Sequence, residues 1–206
     1  MKSVFSSGSK LITGLMLLLV SGSLIAQNSS PASYVKPGID LSAYTKVMVK
    51  PLNMDNIEVL KPAWEQDTDD DWSFQPEDAA AIQEWFLDAM QNELESKGGY
   101  ALVADPAADV LRIEVELLSI TPYVKPGTSK NDGGFKTATL GSGDVVMSAE
   151  FRDSTTRELL ILIEGERSIG EKYRDLSREN HVKNIKGMFA KWGKTVRGGL
   201  DKAHKK

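Results

Sequence analysis

Two stretches decide the fold: Leu111-Arg112-Ile113-Glu114-Val115-Glu116-Leu117 and Val145-Val146-Met147-Ser148-Ala149-Glu150-Phe151-Arg152. In both, apolar and polar residues alternate. Side chains along a strand point to opposite faces in turn, so each stretch predicts a strand with one buried and one wet face. Asp153-Ser154-Thr155-Thr156-Arg157 then reads as a turn and Leu159 to Arg167 as a returning strand, which makes a hairpin. On the N-terminal side, Lys46-Val-Met-Val-Lys-Pro51 predicts a strand stopped by a proline that cannot donate to a ladder, and Tyr100 to Val103 predicts a short one.

Two helices complete the set. One opens at Pro76, whose fixed φ suits a first turn, with Glu77 and Asp78 at the positive end of the helix dipole. Ile82, Trp85, Phe86, Ala89, Met90 and Leu94 recur on one face, and Lys97-Gly98-Gly99 is the stop. The other runs from about Ser177 towards Ala203, with a stripe of Ile185, Phe189, Trp192, Val196 and Leu200. The expected fold is α+β: a mainly antiparallel sheet of about five strands with two helices packed on one face.

At the N-terminus, Lys2 and Lys10 precede the apolar run Leu11 to Val20, and Ser21-Gly22-Ser23-Leu24-Ile25-Ala26 supplies small residues. This predicts a signal peptide over 1–26, cleaved after Ala26, because the run falls short of the roughly 20 residues of a spanning helix. Residues 27–38 read as a flexible polar lead-in and 39–204 as one domain. The mature chain is expected to be exported, periplasmic or envelope-associated, with no transmembrane anchor.

The whole chain has 206 residues, no cysteine, two histidines and a net charge of −4. Disulfides, thiolate catalysis and Cys-ligated metals are excluded. The Gly-rich segment between Lys125 and Gly143 lacks the Gly-Lys-Thr order that cradles phosphate, since Phe135 precedes Lys136-Thr137, and it reads as a mobile loop. No Gly-x-Ser-x-Gly elbow exists, Gly141-Ser142-Gly143 lacks a strand–turn–helix context, and His181 and His204 read as solvated. No catalytic residue, cofactor or metal ligand is assigned.

The segment Pro37-Gly38-Ile39-Asp40-Leu41-Ser42-Ala43-Tyr44, followed by the strand ending at Pro51, is joined by Ala108-Asp109-Val110-Leu111 at a strand opening. Asp153-Ser154-x-Thr156-x-Glu158 lies between the last two strands, and a Trp-containing amphipathic helix closes the chain. This pattern resembles a bacterial envelope family catalogued as domain of unknown function 3313, over most of residues 34–200. The resemblance implies an exported, mostly lipoprotein-like, non-enzymatic module, and it carries over no catalytic residues. The chain departs in lacking the lipid-acceptor cysteine and in holding Arg157 where the family's turn usually has Gly.

Charge is segregated. Residues 55–95 hold thirteen acids against Lys61 alone, whereas residues 177–206 hold nine Lys/Arg against Glu179 and Asp201. The basic face, with Lys183, Lys191 and Lys194, is the candidate contact for an unknown envelope protein or an anionic surface. No nucleic-acid partner is expected of an acidic exported chain. The expected function is an exported periplasmic or cell-envelope accessory or binding module without a catalytic site. Two alternatives stand beside it: a peripheral membrane-surface protein using the basic C-terminal helix, and a divalent-metal-dependent enzyme using the carboxylates of 67–78. In that acidic loop Trp72 stands where a calcium loop needs Gly for its turn, and Asp78 where it needs a bidentate Glu.

Overall fold

The computed structural model describes residues 32–126 and 138–205. The expected signal peptide, the start of the lead-in and the middle of the Gly-rich loop lie outside the described residues. Among the described residues there are nine strands: β1 Tyr34–Val35, β2 Lys46–Val49, β3 Glu58–Val59, β4 Ala101–Leu102, β5 Val110–Pro122, β6 Ala138–Leu140, β7 Gly143–Asp153, β8 Leu159–Ser168 and β9 Tyr173–Asp175. Helix α1 spans Pro76–Met90 and continues through a π-helical turn, Gln91–Ser96, while α2 spans Arg178–Ala203.

The α+β class holds, but the sheet is larger than expected and mixed. Seven strands run in the order β1-β8-β7-β5-β2-β4, with β3 also on β5, and β6 pairs β9 in a separate ribbon. The β5–β7–β8 meander is antiparallel, as the alternation predicted. β2 lies parallel to β4 and β5, and β3 is parallel to β5. The reason is topological: α1 lies between β2 and β4, and a strand–helix–strand crossover returns the chain in the same direction. Tyr34–Val35, inside the segment read as lead-in, pair with Leu162 and Ile161 of β8.

Both helices cover one face of the sheet. Leu111, Ile113, Val115 and Leu117 of β5 are buried with Val145, Met147, Ala149 and Phe151 of β7, and with Ile82, Phe86 and Met90 of α1 and Ile185 and Phe189 of α2. Phe86 meets Phe189 edge to face at 5.5 Å, and Phe189 meets Trp192 at 5.3 Å. A Cβ added to Gly193 would lie 2.9 Å from the Cβ of Glu93, so only glycine lets α2 approach the end of α1 this closely. The opposite sheet face carries Arg112, Glu114, Glu150 and Arg152, joined as crossed ion pairs.

At one end of the sheet, segments far apart in sequence are tied by polar contacts. Asp40 caps the short turn Leu41–Ala43 by accepting from the Ser42 N–H at 2.9 Å. The Tyr44 hydroxyl then donates to Asp153 Oδ2 at 3.1 Å. Asp153 Oδ1 accepts from the backbone N–H groups of Thr155 and Thr156 at 2.9 and 2.8 Å and from both their hydroxyls, which makes the turn before β8. Those bonds hold the Asp153 carboxyl well below its ordinary pKa, while desolvation beside this carboxylate pushes the Tyr44 phenol up to about 12. Asp109 accepts from Thr45 Oγ1 at 2.9 Å and pairs with Lys46 at 3.1 Å. Ser154, almost fully buried, bonds both the N–H and the carbonyl of Ala107. Lys36 reaches Glu158 at 2.5 Å.

Candidate functional site

Packing of α2 on the sheet is incomplete, and the gap is the most distinctive feature of the molecule. A cavity of about 420 Å³ lies between α2 and the β5–β7–β8 face. Its floor follows from strand register: Ile113 and Val115 of β5 stand beside Phe151 and Ala149 of β7, which stand beside Ile161 and Ile163 of β8. All of these except Ile161 line the cavity, together with Met147. The roof is Met90 from the end of α1 and Met188, Trp192 and Val196 from α2. Ala149 is the small residue in the middle of the floor, and a Cβ added to Gly187 on α2 would meet nothing within 4 Å. These two positions leave space that larger side chains would fill.

The cavity reaches the surface between α2 and the segment after β8, where Glu171, Lys172, Lys183 and Lys191 are exposed. This rim is cationic. Arg167, Lys172, Arg174, Lys183 and Lys191 stand on it against Glu171. Lys191 pairs with Glu171 at 2.5 Å, and Arg167 bonds the backbone carbonyl of Glu166 at 2.7 Å. Among the described residues, the side chains of Arg174 and Lys183 form no hydrogen bond or ion pair.

Of the three lysines singled out from sequence, Lys183 and Lys191 are thus brought to the rim, whereas Lys194 is exposed on α2 away from the lining. Arg167 and Arg174 were missed because acids on the same strands mask them as cations, Glu164 and Glu166 on β8 and Asp175 on β9. The cavity itself left one trace in the sequence, a glycine inside an amphipathic helix at Gly187.

The remaining candidates are structural. His181, expected to be solvated, is instead largely enclosed between α2 and the loop before β7. Its Nδ1 lies 3.1 Å from the Ser142 carbonyl oxygen, and desolvation pulls its pKa down to about 4. Asn184 donates to Ser142 Oγ at 2.6 Å, so the hydroxyl faces an amide rather than the imidazole, and the pair lacks the geometry of a nucleophile with its base. His204 is also partly enclosed, with Nδ1 2.8 Å from the Leu200 carbonyl oxygen and its ring against Tyr100.

The acidic loop spreads its carboxylates among different partners. Asp71 accepts from the Ser73 N–H at 2.8 Å, Asp70 faces Lys125 at 3.2 Å and Asp78 faces Arg178 at 3.1 Å. Trp72 is buried. Among the described residues no cluster of three or more His, Asp or Glu is placed to hold a metal ion, and no helix there is long and apolar enough to cross a membrane.

The model of a protein family of unknown function, DUF3313, matches residues 21–196. The chain belongs to that family. Three of the motifs that carry the likeness, Pro37 to Tyr44, Ala108 to Leu111 and Asp153 to Glu158, meet at the polar end of the sheet, while the fourth, the Trp-containing helix, roofs the cavity. No curated protein matches the chain.

Solved structures align over most of its length but weakly. A PelC variant dodecamer from Paraburkholderia phytofirmans is 11% identical, with a TM-score of 0.37, covering 82% of this chain and 92% of that one. A Xanthomonas campestris protein of the DUF330 family model is 11% identical, with a TM-score of 0.46 and coverages of 78% and 85%. A minor lipoprotein from Acinetobacter baumannii is 11% identical, with a TM-score of 0.36 and coverages of 75% and 93%.

Proposed function

We propose that the protein is an exported envelope binding module without a catalytic site, and that its binding site is the cavity under α2. The cavity carries this reading. A well-packed core leaves few voids larger than a water molecule, and about 420 Å³ falls within the roughly 300–1,000 Å³ of small-molecule sites. Export rests on the leader-like residues 1–26. The absence of bond-making chemistry rests on a cysteine-free sequence and on His181 and Ser142 being engaged in fold contacts.

The test is a neutral apolar fluorophore such as N-phenyl-1-naphthylamine. It should bind one per chain and lose binding in Ala149→Phe, which fills the floor. No binding by the parent protein, or equal binding by the variant, overturns the reading.

The peripheral-membrane alternative is supported only by the outer face of α2. Ile185, Phe189 and Leu200 are buried in the core and are not available to lipid without unfolding the helix from the sheet. Salt-sensitive binding to anionic vesicles that requires Lys194 would favour it over the cavity.

A further inference from the structure

We infer that the cavity holds a single acyl chain whose anionic head sits at the mouth between Arg174 and Lys183. The inference rests on the reading of the cavity as the binding site and names the class of ligand it takes.

The interior selects the tail. Floor and roof consist mainly of aliphatic side chains, Phe151, Trp192 and three methionines, and the uncharged polar residues of the lining are already engaged: Ser168 donates to Asp144 at 3.0 Å, Asn184 to Ser142 Oγ at 2.6 Å and Thr195 to the Lys191 carbonyl oxygen at 2.9 Å. A sugar, nucleotide or peptide seated there would leave its polar groups without partners, which is costly in an apolar environment. A hydrocarbon loses nothing. Met90, Met147 and Met188 add unbranched, polarizable side chains that adapt to a chain of variable shape. A methylene occupies about the space of a water molecule, roughly 30 Å³, so the cavity accommodates on the order of a dozen carbons. One chain fits this volume; two do not.

The rim selects the head. The protein as a whole carries −4, yet five cations against one acid stand around this opening. Arg174 and Lys183 are unpaired among the described residues, and Arg174 presents a planar fork suited to a carboxylate or phosphate. With the tail buried and the head held at the surface, the charged group keeps part of its hydration, which avoids the cost of burying it. Fatty-acid carboxylates and lysophospholipid phosphates share this chemistry.

The test is calorimetric titration of the purified protein with twelve-carbon probes below their micelle concentrations: laurate, lauroyl lysophosphatidic acid, dodecyl maltoside and dodecyltrimethylammonium. One molar equivalent of each anion is expected to bind, at least tenfold tighter than the neutral probe and more tightly still than the cation. The tighter anion identifies the source of the head. Affinity for fatty acids should rise roughly fourfold per methylene up to about twelve carbons and then level off.

Arg174→Glu with Lys183→Glu should erase the preference for anions at unchanged melting temperature. Ala149→Phe should abolish binding of every probe. Gly187→Leu, which adds bulk at the mouth and a better helix former, serves if Ala149→Phe does not fold. Equal binding of neutral and anionic probes overturns the anionic class while leaving the cavity reading intact. Binding of no probe, in a protein that also excludes the neutral fluorophore, overturns both. Laurate binding that survives both Ala149→Phe and Gly187→Leu places the chain elsewhere and overturns the inference.

Discussion

The polar end of the sheet and the cavity under α2 are built on opposite principles. At the polar end, residues as distant as Tyr44 and Asp153, Lys36 and Glu158, and Thr45 and Asp109 are joined by specific hydrogen bonds and ion pairs. At the cavity, the same strands present ordinary apolar side chains that fail to meet α2. Polar residues at fixed spacing, which make a family recognisable, are here spent on closing the fold. The space that can receive a ligand is made of residues that look like any core. In this molecule, then, the polar motifs lie away from the candidate site, and of the recognisable pattern the Trp-containing helix alone belongs to it.

Four perturbations sharpen that contrast. The largest is acid. The unfolded chain protonates a histidine near pH 6.5, whereas folded His181 stays neutral down to about pH 4. Between those values the unfolded state binds more protons, so stability is complete above pH 6.5 and falls as pH drops towards 4, by roughly 3 kcal/mol. Urea unfolding at stepped pH should show this loss, and His181→Gln should flatten it. Asp153, whose pKa is depressed, contributes in a separate window, keeping its stabilisation until pH falls below the ordinary carboxylate range.

Next is Asp153→Ala, which unpairs Tyr44 and the turn donors. It should cost about 2–3 kcal/mol in chemical unfolding while leaving the laurate affinity of the folded protein within twofold. A large loss of affinity would couple the two regions and break the contrast. Trp192→Ala should cost about 2 kcal/mol. That is less than the roughly 3–5 of a packed aromatic, because one side of Trp192 already faces the cavity, and it should weaken probe binding as well. Smallest is Arg157→Gly. Arg157 holds φ at 65°, a left-handed conformation that glycine adopts without a Cβ clash, so the melting temperature should hold or rise by an amount worth less than about 1 kcal/mol.

Much of this was legible in the residues. The alternation at 111–117 and 145–152 placed the two long strands and their buried face, the turn at Asp153 to Arg157 set the hairpin, and the helix starts at Pro76 and Ser177 agree with α1 and with α2 and its cap. Two- and three-residue strands are too short to show a period, which is why β1 and β3 were absent from the expected sheet and β6 and β9 from the expected elements, while β4 showed only as the run Tyr100 to Val103 between turn signals. The parallel pairing of β2 with β5 follows from the helix between them, a constraint available in the order of elements. The enclosure of His181 was not legible, because it depends on the loop at Ser142 arriving from 39 residues away. Nor was the cavity. Alternation tells which side chains face inward but not whether opposing side chains fill the gap, and the rim gathers Arg167 and Arg174 from strands with Lys183 and Lys191 from a helix.

The most direct measurement is an experimental structure of the protein with laurate. The account predicts one chain lying between α2 and the β5–β7–β8 face, in contact with Ala149, Met188 and Trp192, with its carboxylate within hydrogen-bond distance of Arg174 or Lys183. Laurate seated on the outer face of α2 by Lys194, or a cavity closed by inward movement of α2 with no laurate in it, would contradict it.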